Sequence, residues 1–238
     1  MPKEFEYKEE AINRIVAWLK IYEIEGMRWG QSPSLSATRI CQNYDDSDLL
    51  DGNILDIGCG YGRDVVFFAE NFHKRQVIGL DAAITALPLW KTILRKINDT
   101  SVLSRCWFQL CDFMALGALI KPIHPVALVH FNYVFHLLNT REVSTVFQRM
   151  GKILKSGGLL VASFVSTEDP HCITSKGNGT QRINTEDGPW TCYNRDAVET
   201  LISDNEYKIV NLCHEIEIEK KRGIDDEVRM WHLIAKKV

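Results

Sequence analysis

The 238-residue sequence predicts a single α/β domain, a mainly parallel sheet with helices on both faces that ends in an antiparallel hairpin. Three observations carry this expectation. From residue 53 short apolar runs alternate with stretches of helical period. The first run closes in a glycine-rich turn, Gly58-Cys59-Gly60-Tyr61-Gly62. The tail changes to period two, with Ile216 and Ile218 set between Glu215, Glu217 and Glu219.

The elements follow in order. Ile12, Ile15, Val16 and Leu19 fall near helical spacing, so residues 7–22 read as an amphipathic helix, and a short second helix is expected over 35–42. These two form an N-terminal helical cap, residues 1–45, ahead of a core spanning 46–238. Residues 53–57 read as a buried strand, 63–72 as a helix, 76–81 as a strand and 84–98 as a helix. Strands over 104–110 and 126–132, a helix over 140–154 and a strand over 159–165 after Gly157-Gly158 complete the alternation. A helix near 194–203 leads to strands over 207–219 and 228–235. Residues 166–193, with Gly177, Gly179 and Gly188, read as a long polar loop acting as a lid.

Composition narrows the classes. Lys plus Arg is 28 against 31 Asp plus Glu, a net charge of −3, so nucleic acid is not the expected partner. No apolar run approaches the roughly 18 residues of a membrane span, and residues 1–6 lack the apolar core of a secretory signal. Seven scattered cysteines without a CxxC predict reduced thiols in a cytoplasmic protein. No HExxH or comparable spacing occurs among the seven histidines, so no metal is expected.

In open parallel sheets ligands bind beyond the carboxyl ends of the strands. Here those ends carry Asp56, Asp81, Asp112 and the run His130-Phe131-Asn132. The glycine spacing is Gly58-x-Gly60-x-Gly62, with Arg63 where the third glycine of a dinucleotide fingerprint belongs, which argues against a nicotinamide-dependent oxidoreductase; a P-loop motif is absent. A carboxylate at Asp81 suits a ribose diol, and Asp112 with Phe113 suits an adenine. The ligand these residues describe is an adenosine that needs no phosphate.

Those residues, in that order, resemble the class I S-adenosylmethionine-dependent methyltransferases over about residues 50–165, through 54–64, 77–81, 111–113 and 153–160. Trp29-Gly30-Gln31-Ser32-Pro33-Ser34 and the closing 229–237 resemble the tellurite-resistance and thiopurine methyltransferases within that class. The resemblance implies a three-layer Rossmann-like methyltransferase fold, strand order 3-2-1-4-5-7-6, and S-adenosylmethionine as cofactor. It implies Asp56 near the methionine amino group and close backbone approach at Gly58, Cys59 and Gly60. Asp81 with Ala82 would hold the ribose, Asp112 with Phe113 the adenine, and Asn132 would lie near the methyl group. Trp29 serves either as a lid over the cofactor or as an anchor, and Arg28, Arg39 and Arg63 are alternatives for pairing with its carboxylate.

The implied reaction is in-line methyl transfer to a small-molecule acceptor, and a general base is needed only if that acceptor is protonated. A non-catalytic S-adenosylmethionine-binding regulatory protein is the first alternative, and a nicotinamide-dependent oxidoreductase, weakened by Arg63, the second. His136 and Tyr133 are the candidate catalytic residues. His136 reads either as a base or as a histidine packed behind the cofactor, and Tyr133 either lines the acceptor pocket or packs on it. His130 reads as strand-buried, and Cys59 and Cys111 as small buried hydrophobes. Trp190, Cys192 and Tyr193 either form one wall of the acceptor pocket or anchor the loop.

Overall fold

The computed structural model describes residues 3–112, 114, 125–172, 179–185, 188–221 and 224–238. Two helices, α1 (Lys3–Glu25) and α2 (Leu35–Asn43), precede the sheet. Its first half is β1 (Asn53–Ile57), α3 (Arg63–Asn71), β2 (Val77–Asp81), α4 (Ala86–Leu94), α5 (Thr100–Leu103) and β3 (Cys106–Leu110). The second half continues with β4 (Val126–Phe131), a 3-10 turn (Phe135–Leu137), α6 (Thr140–Met150) and β5 (Leu154–Val165). Then come β6 (Thr180–Thr185), β7 (Gly188–Tyr193), α7 (Arg195–Asp204), β8 (Tyr207–Lys221) and β9 (Ile224–Lys237).

Seven strands share one sheet in the order β3-β2-β1-β4-β5-β9-β8. Counting only these seven, the order is the expected 3-2-1-4-5-7-6, because β6 and β7 stand apart as a hairpin. The first five strands pair in parallel, and β9 and β8 run antiparallel to their neighbours. Successive residues of a strand point to opposite faces, and the core divides accordingly. Leu55, Val129 and Leu160 join the cluster under α6 and α7, whereas Ile54, Leu128 and Val161 join the one under α2 and α3. All six residues of β4 are buried, as a central parallel strand covered on both faces requires.

Three expectations are corrected. Residues 166–193 are not one loop, since β6 and β7 pair from Thr180↔Tyr193 to Thr185↔Gly188. The strand TQRINT is polar because only its Gln181 is buried, so it carries no apolar alternation to read. The turn directly after β5 is tied down by Asp169, a fully buried acceptor for the N–H groups of Arg229 (2.7 Å) and His171 (2.9 Å). The cysteines are not all thiols either. Cys172 and Cys192 form a disulfide, which joins the turn after β5 to β7, while Cys41, Cys59, Cys106, Cys111 and Cys213 are free. Finally, β5 starts at Leu154 rather than 159. Its Leu154 pairs with Val126 and its Leu159 with Leu128, so the glycine pair lies in a bulge inside the strand. Among the described residues no helix is long and apolar enough to cross a membrane.

Candidate active site

Sheet order reverses between β1 and β4, which opens a crevice beyond their carboxyl ends. A cleft of about 880 Å³, mouth included, lies there. Its floor is Asp56, Gly58, Cys59, Gly60, Asp81, Ala82, Asp112 and Asn132, and α1 supplies a wall of Arg14, Ile15, Trp18 and Tyr22. The structure thus brings together the predicted cofactor residues Trp29, Asp56, Gly58, Cys59, Gly60, Asp81, Ala82, Asp112 and Asn132 at one place, with Tyr133 beside them. Phe113 lies outside the described residues.

The glycine turn is bound to β2. The N–H groups of Gly58 and Cys59 both donate to the Leu80 carbonyl, at 2.7 and 3.0 Å. Gly60 is left-handed (φ 56°), and a Cβ built on it would stand 2.7 Å from Tyr22 Oη. Only glycine both adopts that turn without strain and leaves the backbone open to a ligand. Asp81 reaches across from β2. Its Oδ2 accepts the Gly60 N–H and its Oδ1 the Ala83 N–H, both at 2.8 Å, which aims the carboxylate into the cleft with further lone pairs unused. Burial pushes its carboxyl up to about 6, against the opposing pull of those N–H groups.

Asp56 is 2% exposed and bonds His130 Nδ1 at 2.7 Å. His130 is fully buried in β4, as the sequence suggested. Burial pushes the Asp56 carboxyl up. For the His130 imidazole burial is the largest single effect and lowers it, but the charge and hydrogen bond of Asp56 together with the charge of Asp64 leave it raised. Asp56, Asp64 and His130 offer ligand atoms within 4.8 Å of one another. Both ring nitrogens of His130 are already engaged, with Asp56 and with Ser36 Oγ (2.8 Å), and Asp64 accepts the Ser34 N–H at 2.7 Å. The trio is therefore a hydrogen-bond network. Burial also raises Cys59 well above a free thiol and Cys111 to about 11, so neither is a thiolate at neutral pH.

Trp29 lies in an aromatic group at the cleft, stacked on Tyr61 (6.5 Å, 25°) and tilted against Trp18 (5.4 Å) and Tyr133 (6.5 Å). Its backbone is fastened to the glycine turn. The Trp29 N–H donates to Tyr61 Oη, and Arg63 donates to the Trp29 carbonyl. Of the three arginines weighed for a cofactor carboxylate, only Arg63 borders the cleft. Arg28 pairs with Glu25, and Arg39 with Glu215 on β8. Tyr133 has a left-handed backbone (φ 60°), unusual for a non-glycine residue and fixed by its N–H on Ser163 Oγ (2.9 Å).

His136 is 1% exposed and lies outside the cleft lining, its ring against Tyr133 (4.7 Å) and Trp190 (4.8 Å). This is the position of a packing histidine. His136→Ala is accordingly expected to lower stability by about 1–2 kcal/mol and leave cofactor affinity unchanged, which urea denaturation and a binding titration would check. An unchanged stability with a reduced turnover would make it a base instead.

Sequence reasoning missed the α1 wall and the two serines, Ser34 and Ser36, that enter the buried network. The signal for the wall was present, because Trp18 and Tyr22 are four apart and share one helix face. Arg14 could not have been read, since its anchor, Glu142 at 3.0 and 3.2 Å, is 128 residues away.

Residues 54–158 match the family described as "Methyltransferase domain". The chain has a methyltransferase fold. This fold extends past the matched segment, because solved methyltransferase structures superpose over nearly the whole chain. The 1,6-didemethyltoxoflavin-N1-methyltransferase of Burkholderia thailandensis, bound to its namesake and S-adenosylhomocysteine, has a TM-score of 0.70 at 14% identity, covering 100% of this chain and 92% of its own. A SAM-dependent methyltransferase from Anabaena variabilis has a TM-score of 0.69 at 14% identity, covering 96% and 95%. A glycopeptide N-methyltransferase complexed with S-adenosylmethionine has a TM-score of 0.62 at 15% identity, covering 88% and 96%. No curated protein sequence matches the chain.

Proposed function

We propose that this protein binds S-adenosylmethionine and transfers its methyl group to a small-molecule nucleophile. The observation that carries the reading is the Asp81 carboxylate, held by the Gly60 and Ala83 N–H groups at the edge of a glycine turn, in the crevice where the sheet order reverses. Such a carboxylate accepts from a ribose diol. The side-chain-free backbone of Gly58 and Gly60, which leaves room for Val134 and Tyr22 at the cleft, lets a bulky adenosyl ligand lie along the turn. When bound, S-adenosylmethionine supplies a methyl group already activated by its sulfonium. The chain's own part is then to orient and to exclude water. Asp112 borders the adenine end, Asp56 and Arg63 the amino-acid end, and Trp29 packs over the glycine turn as a cover.

The acceptor side of the cleft, formed by Arg14, Ile15, Trp18, Tyr133 and Leu137, is largely apolar and aromatic. That wall suits a small organic acceptor, as do the small-molecule methyltransferases among the structural neighbours. Residues 1–45 act as the cap and 46–238 as the core of one methyltransferase unit, with the β6–β7 hairpin supporting Tyr133 through Trp190 from outside the cleft lining. A cytoplasmic location belongs to this reading; there the Cys172–Cys192 bond meets a reducing thiol pool, shielded by the complete burial of both residues.

The test is transfer of label from methyl-labelled S-adenosylmethionine to a panel of thiol, amine, hydroxyl and heteroaromatic acceptors, with release of S-adenosylhomocysteine measured in parallel. Labelled product from at least one acceptor is expected. Cofactor binding without turnover on any of them would make the protein a regulatory binder.

A further inference from the structure

The buried network beneath the cleft has a direction, and that direction ends on a residue facing the ligand. Asn132 lines the cleft. Its Oδ1 accepts two hydroxyl hydrogen bonds, from Ser36 at 3.0 Å and from Ser163 at 3.2 Å. A carbonyl oxygen has two lone pairs, so Oδ1 is saturated on the protein side. The amide nitrogen, with two N–H donors, is the part left for the cleft.

What holds this orientation can be traced by counting protons. A hydroxyl has one proton and two lone pairs. The Ser163 hydroxyl accepts the Tyr133 N–H at 2.9 Å, so its proton is available to Asn132. The Ser34 hydroxyl accepts the Ala37 N–H and lies 3.1 Å from Ser36 Oγ. Ser36 gives its proton to Asn132 and must therefore accept from His130 Nε2 at 2.8 Å. His130 Nε2 then carries a hydrogen. Nδ1 stands 2.7 Å from Asp56 Oδ1, a contact that needs a proton of its own. The Asp56–His130 pair thus holds one proton more than a carboxylate beside a neutral imidazole.

We propose that Asp56, His130 and Ser36 form a proton-coupled relay that positions Asn132 with its NH2 toward the cleft. Loss of the extra proton to solvent leaves an Asp56 carboxylate with His130 protonated only at Nδ1. Nε2 then takes the Ser36 hydroxyl proton as a hydrogen bond, and Asn132 Oδ1 loses one of its two donors, keeping only Ser163. The amide turns over, giving N–H to the Ser36 oxygen and a carbonyl lone pair to the cleft. The charged groups acting on His130 are Asp56 from β1 and Asp64 and Arg63 from α3, while Phe68 of α3 presses its ring edge-on at 5.1 Å. The His130 imidazole is raised, the direction in which the Asp56 and Asp64 charges favour the extra proton.

The same Asp–His–Ser connectivity serves nucleophilic catalysis elsewhere. Here Ser36 is 2% exposed and off the cleft lining, so its hydroxyl cannot reach a substrate. Ser36 and His130 are positioning residues. Resting on the methyltransferase reading, the relay also bears on the acceptor. Near neutral pH Asn132 offers donors, matching an acceptor whose methylated atom is flanked by a carbonyl, a carboxylate or a ring nitrogen.

The test is nuclear magnetic resonance on the ligand-free, full-length protein between pH 5 and 9. At pH 6 the Asn132 amide protons are expected to lie away from the Ser36 and Ser163 methylenes in cross-relaxation spectra, with His130 protonated on both nitrogens or sharing a proton with Asp56. As pH rises, the Asn132 amide and His130 ring signals should shift with one midpoint. Ser36→Ala should part the two, and Ser36→Thr, which keeps the hydroxyl, should restore the common midpoint. Ser163→Ala keeps the question answerable if Ser36→Ala does not fold, because it removes one donor to Oδ1 and leaves the His130 path intact, so the common midpoint should persist. An Asn132 amide that ignores a titrating His130, or one with its NH2 against Ser36 and Ser163 at pH 6, overturns the proposal. No cofactor is present in these spectra, so their outcome is independent of whether S-adenosylmethionine binds.

Discussion

Gly60→Val is expected to abolish S-adenosylmethionine binding while the chain stays folded. Position 60 has φ 56°, a region costing a side-chain-bearing residue roughly 1–2 kcal/mol and a β-branched one more. The new Cβ would meet Tyr22 Oη at 2.7 Å, and the two γ-methyls would extend into the cleft that the backbone now leaves open. The Gly60 N–H also orients Asp81, so a displaced turn removes a second contact. Tyr22 can yield, being the far end of a side chain on α1, and for that reason the fold survives. Circular dichroism should match the parent protein while calorimetry with S-adenosylmethionine gives no heat. Retained affinity would mean that the ligand does not approach the glycine turn.

Asp81→Ala comes next in expected effect. Removing the carboxylate leaves the ribose hydroxyls and the Gly60 and Ala83 N–H groups unmatched, a loss of about 1–3 kcal/mol in cofactor binding. The pH dependence follows from the same group. With its carboxyl at about 6 in the free protein, Asp81 offers a diol the stronger, charge-assisted acceptor above that pH and a weaker neutral one below it, so affinity should fall as pH drops through 6. For stability the sign is opposite. The unfolded carboxyl sits near 3.9, so between roughly 4 and 6 the folded chain binds the extra proton, and this group's contribution is lost as pH rises through 6. Asp81→Asn should flatten both dependences. A parent protein whose affinity is constant from pH 5 to 8 would remove Asp81 from the ribose site.

Much of this arrangement was legible in the sequence because its signals are local. The strand 53–57, the turn 58–62 and the acid at 81 lie in one continuous stretch, and parallel pairing places strand ends side by side whatever the surface does. The C-terminal hairpin was legible because Glu and Ile alternate on β8. What escaped depends on partners far apart in the chain. The Cys172–Cys192 bond and the β6–β7 hairpin need the turn after β5 pinned by Asp169, whose backbone partner is Arg229, 60 residues away. Glycines and polar residues there give the appearance of a loop, and the apolar half of the hairpin, Trp190 to Tyr193, shows no alternation because all four residues are buried. Ser36 and His130 are 94 residues apart, and nothing local distinguishes a relay serine from an ordinary helix residue. Asn132 was placed at the site, but the way its amide faces is set by those distant hydroxyls. The sequence leaves His136 as either a base or a packing histidine because it follows a strand end closely. Only the 3-10 turn, which sets its ring against Tyr133 and outside the cleft lining, separates the two.

The central claim is that the crevice beyond β1, β2 and β4 is an S-adenosylmethionine site. Isothermal titration of the purified chain with S-adenosylmethionine, S-adenosylhomocysteine and NAD, run in parallel, tests it most directly. Saturable one-to-one binding of the first two and none of the third is the expected result. NAD binding in their place, or no heat from either adenosyl ligand, would contradict the account.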